Sequence, residues 1–259
     1  MKTRYHPRHQ LLGFTLFGLA AIGLSGGNWF AIIITVFAYC MLAYAIFQPA
    51  CNWLVPVVTR FKTARKEVWL TIDDGPDGTN TEQLIEILAR HNARATFFVK
   101  GQYLLKHARL AGPLLAAGHT LANHTHTHPA ALFWCYPPRY IRSEIASCND
   151  ALKQTTGLQP NWFRSPVGIK SLFLQPILAN HGMRLIAWSL KGKDGIVCNP
   201  IAVAKRIKSL VRPGDIILLH EGRLDSNKQA SSNECIGLVV EELAQMGYSF
   251  VVPTDEQLC

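Results

Sequence analysis

Val68-Trp69-Leu70-Thr71-Ile72-Asp73-Asp74-Gly75-Pro76-Asp77 is the stretch from which the rest of the chain can be read. Its first five residues favour a buried strand, and Gly75-Pro76 stops that strand. Two carboxylates then stand side by side where the strand ends. Carboxylates are rarely tolerated at such a place unless a metal, a proton or a fixed partner holds them. Adjacent strand residues point to opposite sides, so one of Asp73 and Asp74 can bind a metal while the other reaches the attacking water. Asp77 reads as a turn or helix-cap residue.

Working outward, strand-like and helix-like segments alternate. Strands are predicted at Ala95–Val99, His119–Ala122, Trp162–Phe163, Arg184–Trp188, Ile216–Leu219 and Phe250–Val252. Helices are predicted at Thr81–His91, Gln102–Ala117 (interrupted at Gly112-Pro113), Arg139–Thr156 and Leu172–Asn180, and near 200–211 and 233–246. This alternation predicts a parallel sheet with helices outside it. Asp73/Asp74, His124/His128, Arg164, Asp194 and His220 each fall just after a strand. Convergence at the C-terminal ends of several strands is what a β/α barrel active site requires.

His124 and His128 are four apart, and one helical turn would place both imidazoles on one face. Two imidazoles and a carboxylate make a catalytic zinc set, and they also suit cobalt, nickel or iron. His126 is expected to point elsewhere. His220, closing the apolar run Ile216–Leu219, is placed to supply the proton that a leaving group needs. A buried Arg164 needs a carboxylate, and the base carboxylate would serve. Asp194 would orient His220, as acidic partners do for catalytic histidines.

Thr-Ile-Asp-Asp-Gly-Pro-Asp (71–77), Asn-His-Thr-His-Thr-His (123–128), Phe-Arg-Ser-Pro-Val-Gly (163–168), Trp-Ser-Leu-Lys-Gly-Lys-Asp (188–194) and Ile-Ile-Leu-Leu-His (216–220) occur in that order. They resemble the five motifs of the polysaccharide deacetylase family, the NodB homology domain, over roughly residues 66–255. The resemblance implies an α/β fold, a distorted (β/α) barrel with one divalent metal, usually zinc, that removes N- or O-acetyl groups from carbohydrates. By position, Asp73 resembles the general base, and Asp74, His124 and His128 the metal ligands. Arg164 resembles the residue that holds the base, His220 the general acid and Asp194 its partner. The fourth motif departs from the family pattern. Lys191 stands where an aspartate is usual, and Gly195 stands where a tryptophan walls the acyl pocket, which implies either a roomier pocket or one walled by Trp162 or Trp188 instead.

The chain's 259 residues allow one catalytic domain plus an appendage. Its formal charge of +9 is uneven: residues 1–66 hold seven Lys/Arg and no acid, leaving 19 basic against 17 acidic residues after them. The remainder lacks the charge footprint of a nucleic-acid binder. Leu11 to Phe47 carries no charge, broken once by the turn residues Ser25-Gly26-Gly27-Asn28. Trp29–Phe47 would span roughly 28 Å as a helix, enough for a bilayer core, and Leu11–Gly27 roughly 25 Å.

The expected organisation is a basic flank (1–10), a membrane anchor of two helices in a transmembrane hairpin (11–50), a basic linker (51–66) and a deacetylase domain (67–259). The competing reading of the anchor is a signal-peptide core followed by a single span, or two stretches of which neither inserts fully. Basic residues on both flanks put the domain on the cytoplasmic side of a bacterial inner membrane. Seven scattered cysteines without a Cys-x-x-Cys pair read as reduced thiols. The aromatic stretch Ala130–Pro138, directly after the histidines, would either pack on the barrel or enter the lipid headgroup region.

The expected activity is N-acyl, foremost N-acetyl, hydrolysis on a carbohydrate, with a lipid-linked hexosamine precursor as substrate and membrane lipid as partner. The alternatives are an O-acetyl esterase, an outward-facing peptidoglycan- or chitin-type deacetylase, and a non-catalytic carbohydrate-binding protein.

Overall fold

The computed structural model describes residues 17–24, 26–194, 199–222 and 231–258. Residues 17–24 are helical, and a turn at Gly26-Gly27 leads into α1 (Trp29–Phe47), whose N-terminus is capped by the Asn28 side chain. Gly18 lies against Tyr39, where an added Cβ would meet the hydroxyl at 3.2 Å. Helix α1 is long and apolar enough to cross a membrane, and it is mostly exposed in the isolated chain.

The domain is built on a sheet of nine parallel strands among the described residues. They are β1 (Val57–Val58), β2 (Glu67–Asp73), β3 (Ala95–Val99), β4 (Thr120–Asn123), β5 (Trp162–Phe163), β6 (Arg184–Ile186), β7 (Leu190–Lys191), β8 (Ile216–His220) and β9 (Ser249–Phe250). Their order is β1-β6-β5-β4-β3-β2-β8-β7, with β9 beside β2. The edges β1 and β7 do not pair, so the curled sheet keeps a seam. The expected distorted (β/α) barrel is thereby met.

Helices α2 (Gly78–Arg90), α3 (Gly101–Lys106), α4 (Ala111–Ala116), α5 (Pro138–Thr156), α6 (Leu174–Asn180), α7 (Pro200–Leu210) and α8 (Ser231–Gln245) fill the crossovers. Their apolar stripes seal the outer face of the sheet. Leu84 and Leu88 of α2 and Ile236, Val239, Val240 and Leu243 of α8 pack with Val68, Leu70 and Ile72 of β2. The alternate residues of β2 face the other way: Trp69 packs with Phe98 and Ile186 inside the barrel. The inward row Trp69-Thr71-Asp73 therefore climbs from an apolar floor to a carboxylate at the rim.

Several expectations need correction. Residues 102–117 do not form one helix broken at Gly112-Pro113. The break lies at His107, where its N–H closes on the Tyr103 carbonyl and a 3-10 turn, Ala108–Leu110, follows. Pro113 falls in the first turn of α4, where a missing N–H leaves no bond unmade. Strand β6 ends at Ile186, and the short β7 beyond it has too few residues to show a period. Residues 51–66, expected as a linker, contribute β1 and buried Cys51, Val55 and Phe61 to the barrel. Cys40, Cys51, Cys135 and Cys148 are free thiols. Cys198 and Cys259 lie outside the described residues.

Candidate active site

Strand register brings the motifs together. Asp73 pairs with Phe98 on one side and His220 on the other, so a carboxylate and an imidazole from distant segments end adjacent strands at one level. Asn123 pairs with both Val99 and Phe163, which sets His124 and Arg164 just past the same rim.

Asp73 is the last residue of β2 and its side chain is buried. Arg164, itself fully buried, donates to its Oδ1 at 2.7 Å. The same guanidinium donates to Thr71 Oγ1 (2.7 Å) and to the Ile186 and Ala187 carbonyls (3.2 and 2.9 Å), and it stacks 4.0 Å from the Phe98 ring. These bonds leave Arg164 one orientation, which gives the buried carboxylate a fixed counter-charge.

Asp74 takes φ +80°, leaving the strand direction in a left-handed turn. Its Oδ1 lies 3.7 Å from His128 Nε2 and 3.4 Å from Lys100 Nζ. Burial opposes its ionisation, but His124, His128, Lys100 and His220 outweigh it and hold the carboxyl down at about 2. The His124 and His128 rings sit 4.7 Å apart. Burial, reinforced by His124, pushes His128 down to about 4 and keeps it neutral.

The one-turn helix expected over 124–128 is not present: both imidazoles leave a loop. Thr125 and His128 take positive φ (67° and 59°), and Asn123 Oδ1 accepts from the Thr125 N–H at 2.8 Å. Glu144 of α5 holds the loop by accepting from the His126 and Thr127 N–H groups and from the Thr127 hydroxyl. His126 is turned away against Gly101, outside the cluster.

Asp74, His124 and His128 each offer one donor atom, and all three atoms lie within 4.8 Å of one another. His124 Nδ1 is 2.7 Å from the Arg164 carbonyl, which fixes its proton there and leaves Nε2 as a lone-pair donor. One carboxylate held ionised and two imidazoles fit a divalent ion. Across the site, Asp194 binds His220 twice, accepting from its N–H at 2.7 Å and lying 3.0 Å from Nδ1. Burial disfavours the imidazolium, yet Asp194, Asp73 and Asp74 together raise the His220 pKa.

Asp74 and His128 open onto a cleft of about 390 Å³ whose walls include Lys100, Tyr103, His107 and Glu221. Reading by motif missed Lys100, Glu144 and Glu221. Lys100 after β3 and Glu221 after β8 carry the same strand-end signal as His220, whereas Glu144, inside α5, is marked only by its tertiary neighbours. Asp77 sits at the N-cap position of α2, without capping it through its side chain, and accepts from the Asn80 amide instead. Of the alternative walls, Trp162 packs on Trp69 within the barrel and Trp188 lies 5.7 Å from the Arg164 guanidinium. Gly195 lies outside the described residues.

Glu221 is 1 % exposed, accepts from the Thr81 hydroxyl and the Asp77 N–H, and is pushed by burial from its ordinary 4.5 up to about 7. A carboxyl with a raised folded pKa contributes stability below its unfolded value and loses it as pH rises through the folded one. Glu221→Gln is therefore expected to raise the thermal midpoint at pH 8 by the equivalent of up to about 3 kcal/mol, the gap closing towards pH 4.5. A difference independent of pH in paired unfolding scans would refute this.

The strand-end carboxylate pair, the two-histidine loop and the Asp194–His220 pair on an open parallel barrel define a class of metal-centred hydrolases. The polysaccharide deacetylase profile matches residues 60–186, and the chain belongs to that family. It is 36% identical over 166 residues to a chitooligosaccharide deacetylase of Sinorhizobium fredii, covering 64% of this chain and 76% of that one. It is 33% identical over 201 residues to the chitooligosaccharide deacetylase of Rhizobium leguminosarum bv. phaseoli, covering 76% and 85%. Among solved structures, a family 4 carbohydrate esterase from Streptomyces lividans in complex with acetate superposes with a TM-score of 0.65 at 28% identity, covering 74% of this chain and 95% of that one.

Proposed function

We propose that the chain is a membrane-anchored carbohydrate N-deacetylase that hydrolyses the N-acetyl group of a lipid-linked hexosamine. The observation that carries this reading is the register placing Asp73, clamped by Arg164, beside His220, held by Asp194, with the Asp74–His124–His128 triad next to them. A binding-only protein has no use for both a positioned base and a positioned acid.

Asp74, His124 and His128 would hold one divalent ion, zinc foremost, which supplies Lewis-acid activation of water and of the acyl carbonyl. Asp73 takes the proton of the attacking water; Arg164 holds that carboxylate in place and supplies its counter-charge. Asp194 fixes the His220 proton on Nδ1, so Nε2 is the nitrogen that carries a proton to the departing amine. Helix α1 anchors the domain, and the basic flanks place it at the cytoplasmic face. An active reporter fused at Cys259 only in the periplasm would reverse that orientation.

The test is acetate release by detergent-solubilised, zinc-supplied protein from N-acetylhexosamine oligomers and from a polyprenyl-phosphate-linked N-acetylhexosamine. Release is expected from the lipid-linked substrate. Asp73→Asn should lower kcat by about 10²–10⁴-fold while zinc content stays unchanged. Release from free oligomers alone would return the protein to polymer modification, and release from neither would refute the activity.

A further inference from the structure

We propose that a second pocket, at the seam of the barrel beneath the end of α1, binds the phosphate of a membrane lipid. This pocket of about 480 Å³ shares no lining residue with the catalytic cleft. Residues 48–50, which follow α1 directly, form one wall. Arg60, Lys191, Arg206 and Arg212 supply four cationic side chains, and Asp215 is the one carboxylate on the lining among the described residues.

Asp215 is fully engaged: Arg60 bonds its Oδ1 at 2.7 Å, Ser189 donates to the same oxygen, and the Arg212 N–H donates to Oδ2. Its charge balances Arg60. Among the described residues no ion pair engages Lys191, Arg206 or Arg212, and Arg206 is aligned by its Nε bond to the Lys191 carbonyl. Lys191 is also one of the two residues by which the fourth motif departs from the family pattern, and none of the steps above uses it.

The position of the pocket selects the ligand. Fully buried Lys170 donates to the Gln48 and Pro49 carbonyls, and its own N–H bonds the Ile46 carbonyl. The end of α1 is thus fastened to the loop that follows Arg164, and the wall at 48–50 cannot swing away. With α1 in a bilayer, that wall lies where lipid phosphates lie. Guanidinium forks match phosphate oxygens, and basic groups there are drawn to anionic lipid. The ligand class is a phosphate ester on a lipid, belonging either to a glycerophospholipid headgroup or to the lipid-linked sugar.

The site rests on the anchored reading of α1 given above. Its test is native mass spectrometry of the full-length protein in detergent, titrated with dioleoyl phosphatidylglycerol or dioleoyl phosphatidylcholine. Retention of the phosphatidylglycerol over the phosphatidylcholine is expected. Lys191→Ala with Arg206→Ala should weaken it about 30-fold, with zinc content and thermal midpoint unchanged. Displacement by N-acetylglucosamine 1-phosphate assigns the phosphate to the substrate. Resistance to it assigns the phosphate to bulk lipid, and either sustains the site. Equal retention of both lipids, or undiminished binding by the variant, overturns it. If the double variant is unstable, Lys191→Glu, at an exposed side chain, carries the same test. Selective lipid binding without acetate release from any substrate would refute the activity and leave the site standing.

Discussion

Arg164→Met is expected to lose about 3–5 kcal/mol of folding stability and essentially all turnover. The guanidinium makes four hydrogen bonds inside the barrel, to Asp73, Thr71 and the Ile186 and Ala187 carbonyls. Methionine fills much of the volume and makes none of them. The larger penalty comes from what is left behind, because Asp73 would remain a buried carboxylate without its counter-charge. Adding Asp73→Asn removes that charge. The double variant should therefore regain a substantial part of the lost stability while staying inactive, a coupling that a double-mutant cycle by urea unfolding would read. Additive losses would mean that Arg164 acts through packing alone, against Phe98 and Trp188.

His124→Ala is expected to abolish both metal uptake and activity. Its Nε2 is one of three donors, and its Nδ1 bond to the Arg164 carbonyl ties the ligand set to the residue that holds Asp73. Loss of an outer-shell partner already weakens metal affinity by about 10–100-fold, and loss of a ligand should exceed that. The readout is not confined to turnover. Zinc at a thousandfold excess over its Kd should stabilise the native protein by about 4 kcal/mol, reversed by chelator, and should leave His124→Ala unmoved. A zinc-dependent rise in Tm that survives in the variant would remove His124 from the ligand set.

Much of this was legible in one dimension because strand ends announce themselves. An apolar run halted by Gly75-Pro76 marks where β2 stops, and a polar residue directly after such a run must sit at the rim. Asp73, Arg164 and His220 were found in this way. The histidine loop was misread because a spacing of four matches a helical turn, whereas Thr125 and His128 adopt left-handed conformations that spacing cannot report. What stabilises them is Glu144, which lies on a helix whose sequence carries no sign of that task.

The alternation of segments by itself determined a parallel sheet with helices outside it, and the strand ends determined which side chains gather at its rim. Both follow from local hydrophobic pattern and turn chemistry, which a short window of sequence contains in full. Only the tertiary structure decided the partners: Arg164 with Asp73, Asp194 with His220, Lys100 beside Asp74, and Lys170 on the carbonyls that end α1. Each pairing depends on register between strands, or on contact between segments, separated by tens of residues or more. Such distances are set by how the whole core packs, and no local stretch encodes them.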